Sequence, residues 1–109
     1  MVKLVYVITR KPGLSVEEFQ RYWRETHGPI AARIPGVRRY VQCHVLPELY
    51  AGDRPPAYDG AAELWFDDLD AMRRAMASPE MEAAREDERT FIDHAKVVAI
   101  VTEEKPVVG

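Results

Sequence analysis

The chain has 109 residues, 47% hydrophobic and 30% charged, with a net charge of −3 and one cysteine, Cys43. This size and balance suit one globular core, and the acidic charge argues against nucleic acid and anionic membrane surfaces, which select basic patches. No apolar run reaches the roughly 18 residues of a membrane span, and a single cysteine forms no internal disulfide; a soluble, cytoplasmic, single-domain protein over residues 1–109 is expected, with a short tail from about residue 104.

Lys3 to Thr9 is β-branched and aromatic and is followed by Pro12-Gly13, which predicts a strand at about 2–10 and then a turn. No signal-peptide core precedes that strand. Ser15-Val16-Glu17-Glu18 has the form of a capping box, with Ser15 as the cap and Glu18 reaching back. Val16, Phe19, Tyr22 and Trp23 follow at helical spacing. Gly28-Pro29 predicts a helix end near Thr26, with a short helical turn before Pro35-Gly36. Residues 37–46 are the second expected strand. Residues 47–59, with Gly52 and Pro55-Pro56, form a loop, and residues 60–66 the third strand. Asp67 or Asp68 caps a helix through Ala77, with Leu69, Met72 and Met76 along one side. Pro79, at a first helical position, restarts a helix to about Ile92. Residues 96–103 are the last strand. The order β-α-β-β-α-β is the ferredoxin-like arrangement: an α+β fold with four antiparallel strands and two helical segments on one face. A single parallel α/β unit would have too few crossovers.

An uncovered sheet face should alternate apolar and polar residues. The outer strands do not: Leu4, Tyr6 and Ile8 oppose Val5 and Val7, and Val97, Ala99 and Val101 oppose Val98 and Ile100. Such a patch exceeds the few hundred Å² a monomer tolerates, and a two-fold partner is the simplest cover. The middle strands have one apolar parity (Val41, Cys43, Val45; Leu64, Phe66), which suits the helices. The opposite parity is amphipathic (Tyr40, Gln42, His44; Glu63, Trp65) and suits a small-molecule pocket on the other face.

Histidine titrates near neutrality, so His27, placed where the first helix is expected to end, is the leading acid–base candidate; a helix C-terminus would favour its charged form. Tyr40 and His44, four apart on one strand, share a face. A tyrosine there can donate to an oxyanion and a histidine can act as base, or both can only orient a ligand. Glu63 beside Trp65 is the carboxylate on the presumed inner face. Tyr50 and Tyr58 bracket the proline-containing loop, which is long enough to close a pocket mouth. His94 suits a loop. No metal-ligand spacing, glycine-rich phosphate loop, Rossmann fingerprint or serine elbow is present. Cys43 reads as core.

Leu4-Val5-Tyr6, the run from Arg10 through Phe19, and Tyr22-Trp23-Arg24-Glu25-Thr26-His27-Gly28-Pro29 together resemble the opening of the EthD family. Arg39 to Gln42, Asp59 to Phe66, and Ser78-Pro79-Glu80 extend the likeness over nearly the whole chain; the Trp-Arg-x-x-His-Gly-Pro helix end is its most specific part. The resemblance implies a dimeric α+β barrel with a pocket between sheet and helices near His27. It also implies a chemically varied set of relatives: a protein linked to ether-fuel degradation, polyketide cyclases and dehydratases, lactone isomerases, and cofactor-free or haem-degrading oxygenases. Its lactone-isomerase members imply pocket roles for His27 and Tyr40.

The expected function is a homodimeric, cofactor-independent enzyme acting on a small apolar carbonyl, lactone or phenol. His27 would be the acid or base. Tyr40 and His44 would bind the oxygen, Glu63 would orient an imidazole, and Tyr6, Phe19, Trp23 and Trp65 would shape the cavity. The alternatives are an oxygenase of the same superfamily, cofactor-free or with haem on one histidine, and a protein that binds the same ligand without catalysis. An RNA-binding sheet shares the topology, but Arg38-Arg39-Tyr40 is only a faint echo of its signature.

Overall fold

The computed structural model describes all 109 residues. Strands β1 (Val2–Ile8), β2 (Arg39–His44), β3 (Gly60–Phe66) and β4 (Val98–Thr102) form one antiparallel sheet in the order β2-β3-β1-β4. Helices α1 (Val16–Tyr22), α2 (Gly28–Ala31), α3 (Leu69–Met76) and α4 (Pro79–Glu88) complete the chain order of a ferredoxin-like α+β fold. β2 and β4 are shorter than the sequence suggests. Pro47–Ala51 and His94–Lys96 form single 3₁₀ turns beside them.

Local signals account for the helix starts. The Ser15 hydroxyl accepts from the Glu18 N–H, and the Glu18 carboxylate accepts from the Ser15 N–H. Asp68 and Ser78 cap α3 and α4 one way only, their side chains accepting from Ala71 N–H and Met81 N–H. The helix end expected at Thr26 is not there. Trp23–His27 widens into a π turn that carries the helix on into α2, with Gly28 N–H donating to Trp23 O. Pro29 has no N–H to contribute, and its ring would strike the carbonyl four residues back in a regular helix; the wider turn admits it. His27 is therefore inside a continuous helical segment, and the C-terminal dipole argument for it fails.

The core lies between the sheet and the helices, around the fully buried Ile8, Phe19, Trp23, Phe66 and Phe91. Phe19 packs on Trp23 and Phe91 at ring separations of 5.5 and 5.8 Å; such tilted aromatic pairs each add about 0.5–1.5 kcal/mol beyond area burial. On α3 the packed residues are Ala71 and Ala75, with Met72 and Met76 half-buried, while Leu69 is exposed. The expected Leu69 stripe is displaced because small alanines let the helix sit close.

The register fixes which residues share a face. Tyr40 pairs with Leu64 and Leu64 with Leu4; Gln42 pairs with Ala62 and Ala62 with Tyr6; His44 pairs with Gly60 and Gly60 with Ile8. All of these face the helices. Val41 pairs with Glu63, Glu63 with Val5, and Val5 with Ile100; Cys43 pairs with Ala61 and Ala61 with Val7. These form the open face. The parity expected for β2 is thus inverted: Val41 and Cys43 look outward, and Cys43 is exposed rather than core. The reason is polar. Gln42 Nε2 donates to Trp23 O in the π turn at 2.9 Å, and His44 stacks on the Trp23 ring at 4.3 Å. These contacts hold the polar parity of β2 under the helix.

Candidate functional site

Between the sheet and the helices lies a cavity of about 220 Å³, lined by 17 residues of which 14 are hydrophobic. That is just below the ~300–1,000 Å³ of drug-sized ligand sites. β1 contributes Leu4 and Tyr6, the first helical segment Trp23 and His27, β2 Tyr40, and α4 Met81, Ala84, Arg85 and Glu88. The polar groups are few and come from different elements.

His27 is 5% exposed. Its Nδ1 lies 2.8 Å from Asp87 Oδ2, and this is the one side-chain hydrogen bond the imidazole makes within the chain, so Nε2 is unpartnered. An acceptor on Nδ1 selects the tautomer with the proton there, which leaves the Nε2 lone pair available. The other Asp87 oxygen, Oδ1, accepts from Tyr22 O–H at 2.6 Å. That bond is the main reason the Tyr22 phenol pKa is raised, with burial adding to it. The Phe91 ring, 4.8 Å from the imidazole, closes the remaining side.

Glu88 forms a parallel arrangement one residue on. Its Oε1 accepts from Tyr6 O–H at 2.9 Å and lies 3.1 Å from His94 Nε2. Burial first, then the Glu88 charge and hydrogen bond, push the Tyr6 phenol pKa upward. Two carboxylates in the last turn of α4 oppose the helix dipole; the tyrosine and histidine donors offset that repulsion. Tyr40 accepts from Gln42 Nε2 at 2.8 Å, which leaves its own O–H free to donate. Burial raises its pKa, against the hydrogen bonds from Gln42 and Trp23, so the phenol stays protonated at neutral pH.

The residues singled out from the sequence separate into groups. Tyr6, Trp23, His27 and Tyr40 line this cavity. Phe19 lies behind Trp23 in the core and does not line it. His44 is on the far side of the Trp23 ring in a surface groove with Arg24 and Tyr50; its Nε2 lies 2.8 Å from Gln42 Oε1. Burial, aided by Arg24, lowers its pKa. Glu63 and Trp65 are on the opposite side of the sheet from His27. Glu63 pairs with Lys3 at 3.1 Å, and Trp65 N–H donates to Glu104 at 2.6 Å beneath Lys3 and Arg39. Glu63 therefore cannot orient His27, and the pocket expected on the open face is on the helix face instead. Tyr50 is tied to Asp59 at 2.6 Å and Tyr58 is exposed; neither lines the cavity. His94 begins a 3₁₀ turn and reaches Glu88.

Asp87, Glu88 and Arg85 were not anticipated. The signal for two of them was available: Met81, Ala84, Arg85 and Glu88 stand at i, i+3, i+4 and i+7, so charged residues occupy an inward stripe. No three His, Cys, Asp or Glu side chains converge to hold a metal ion. The cavity beside His27 is too small for a haem, whose macrocycle exceeds a volume already below that of drug-sized sites.

A model of the EthD domain matches residues 11–95. No curated protein matches the sequence. Among solved structures, the chain resembles an EthD family protein from Bacillus halodurans (23% identity, 96% of this chain and 99% of that one, TM-score 0.77). It also resembles a dimeric protein with a ferredoxin-like fold from Bacteroides fragilis (19%, 94% and 95%, TM-score 0.67). A third is SnoaB, a cofactor-independent oxygenase from Streptomyces nogalater (20%, 98% and 95%, TM-score 0.64). At these identities the likeness is one of fold.

Proposed function

The chain belongs to the EthD domain family, and on that footing we propose that it is a small-molecule enzyme working by proton transfer without a cofactor. The observation that carries the reading is the buried His27, held by Asp87 through Nδ1 and turned to an apolar cavity with Nε2 unpartnered. Nε2 takes a proton from a carbon next to a carbonyl, or from a phenol, and Asp87 stabilises the imidazolium that forms. The electron pair moves onto the carbonyl oxygen, where the Tyr40 O–H donates to it. Returning the proton to another carbon isomerises the substrate. Loss of a neighbouring hydroxyl with that proton, as water, dehydrates it. The substrate is a small, largely apolar carbonyl, lactone or phenolic compound, in keeping with a lining of 14 hydrophobic residues among 17.

The same deprotonation is the opening step of a cofactor-independent oxygenation, in which the electron-rich carbanion reacts with dioxygen. The fold shared with SnoaB and the apolar cavity favour this as the second reading. The protein works as a homodimer through the open sheet face, where Val98 and Ile100 are 41% and 52% exposed beside Val5, Val7 and Val41. Relatives described as dimeric have the same fold.

The test is a thermal-shift screen with lactones, hydroxylated aromatics and polyketide-like phenols, followed by turnover of the ligands that raise the midpoint. His27→Ala should abolish turnover, and Tyr40→Phe should lower kcat by roughly 10²–10³-fold. Dioxygen uptake separates oxygenation from isomerisation. A ligand returned unchanged, or turnover undiminished in His27→Ala, contradicts the reading.

A further inference from the structure

Arg85 is the only arginine or lysine among the cavity-lining residues. It stands on α4 in a run rich in carboxylates, with Glu80, Glu82, Glu86, Asp87 and Glu88 as neighbours. It pairs with none of them. Arg89 bridges to Glu86, and Glu88 is taken by Tyr6 and His94. The one hydrogen bond Arg85 makes is to Met76 Sδ, at 3.8 Å. A thioether is a weak acceptor, and a guanidinium has five N–H donors, so most of its capacity is unused. The side chain is exposed on its outer side and reaches the cavity on the other, which places it at the mouth. Its charge is felt inside: it works against burial and Glu88 on the Tyr6 phenol.

We infer that Arg85 is an anion-binding residue at the cavity mouth, and that the ligand carries a carboxylate or similar oxyanion in addition to the oxygen served by His27 and Tyr40. A planar guanidinium matches a carboxylate in two parallel hydrogen bonds. Glu88 is held through Oε1 by Tyr6 and His94 and makes no ion pair with Arg85, which leaves the guanidinium donors available to a ligand. The apolar walls take the body of the molecule, and Arg85 fixes which end enters first. The inference rests on the cavity being the ligand site, as proposed above, and narrows the substrate class to acidic molecules.

The test compares two probes of nearly equal shape, para-hydroxybenzoate and para-hydroxybenzamide, by calorimetric titration at low salt and neutral pH. Wild type should bind the anion about tenfold or more tightly than the amide. In Arg85→Gln, a substitution at an exposed position, the two affinities should converge. His27→Ala should keep the anion preference whatever happens to turnover, which separates this role from catalysis. Equal affinities in wild type, or a preference retained in Arg85→Gln, would overturn the inference and leave the cavity reading intact. Binding of neither probe to wild type would overturn both.

Discussion

Asp87 Oδ2 lies 2.8 Å from Nδ1 of His27, and the contact joins the last turn of α4 to the π turn before α2. It sets the imidazole tautomer and its orientation together. Asp87→Asn keeps the volume and removes the charge that supports the imidazolium. With a substrate in hand, kcat should fall by roughly a hundredfold or more while KM and the melting temperature change little. An unchanged kcat would assign Asp87 to structure alone.

Trp23 separates the cavity from the His44 groove, and Gly60 makes room for it. A Cβ at Gly60 would lie 2.7 and 2.8 Å from atoms of the Trp23 ring and 2.6 Å from Cys43 O. Neither the buried ring nor the strand carbonyl can move away freely. Gly60→Ala should destabilise the protein by about 1–3 kcal/mol, as other overpacked core positions do. Urea unfolding measures this, and a loss below a few tenths of a kcal/mol would show that the indole is not wedged there.

His44 predicts a pH effect on stability. Burial first, then the Arg24 charge, hold its native pKa below the ordinary 6.5. As pH falls, the unfolded state takes up the proton before the native state does, and stability falls wherever the unfolded state binds more protons. The His44 contribution is therefore complete above about 6.5 and is lost as pH drops through the lowered native value. His44→Gln should flatten the melting-temperature profile below that pH. A profile as steep as wild type would show that other groups carry the acid sensitivity.

The open face gives an association prediction. Ile100 is 52% exposed on the open face of the edge strand β4, opposite Val5 in the register. Ile100→Asp would bury an unpaired charge in any dimer using that face, and should weaken it by at least about a hundredfold. Leu69→Asp, on the outer side of α3, is the control and should leave the dimer intact. Light scattering reads both. A dimer that survives Ile100→Asp uses another surface.

The order of elements along the chain and the helix caps were legible because they depend on local chemistry: Ser15 with Glu18, Asp68, Pro79 after Ser78, and the β-branched run from Val2 to Ile8. The face of β2 was not. Alternation shows that Val41 and Cys43 share a side but not which side; the contacts of Gln42 and His44 with Trp23, about twenty residues away, decide it. The π turn was hidden for a related reason, since Gly28-Pro29 is the usual mark of a helix end. His27 stood out by residue type and by its motif, whereas Asp87 is one acid among several on α4 until the fold brings it 60 positions back along the chain. Glu63 and Trp65 were misplaced through β2: once its parity inverts, they no longer share a face with Tyr40 and His44.

His27 presents a bare Nε2 to the cavity while Asp87 holds Nδ1–H. Nitrogen NMR of the imidazole tests this most directly, because protonated and unprotonated ring nitrogens are resolved. At a pH where the ring is neutral, Nδ1 should be protonated and Nε2 unprotonated, with the Nε2 signal moving when a ligand enters the cavity and the tautomer preference lost in Asp87→Ala. A ring protonated on Nε2, or an Nε2 signal that ignores a bound cavity ligand, would contradict it.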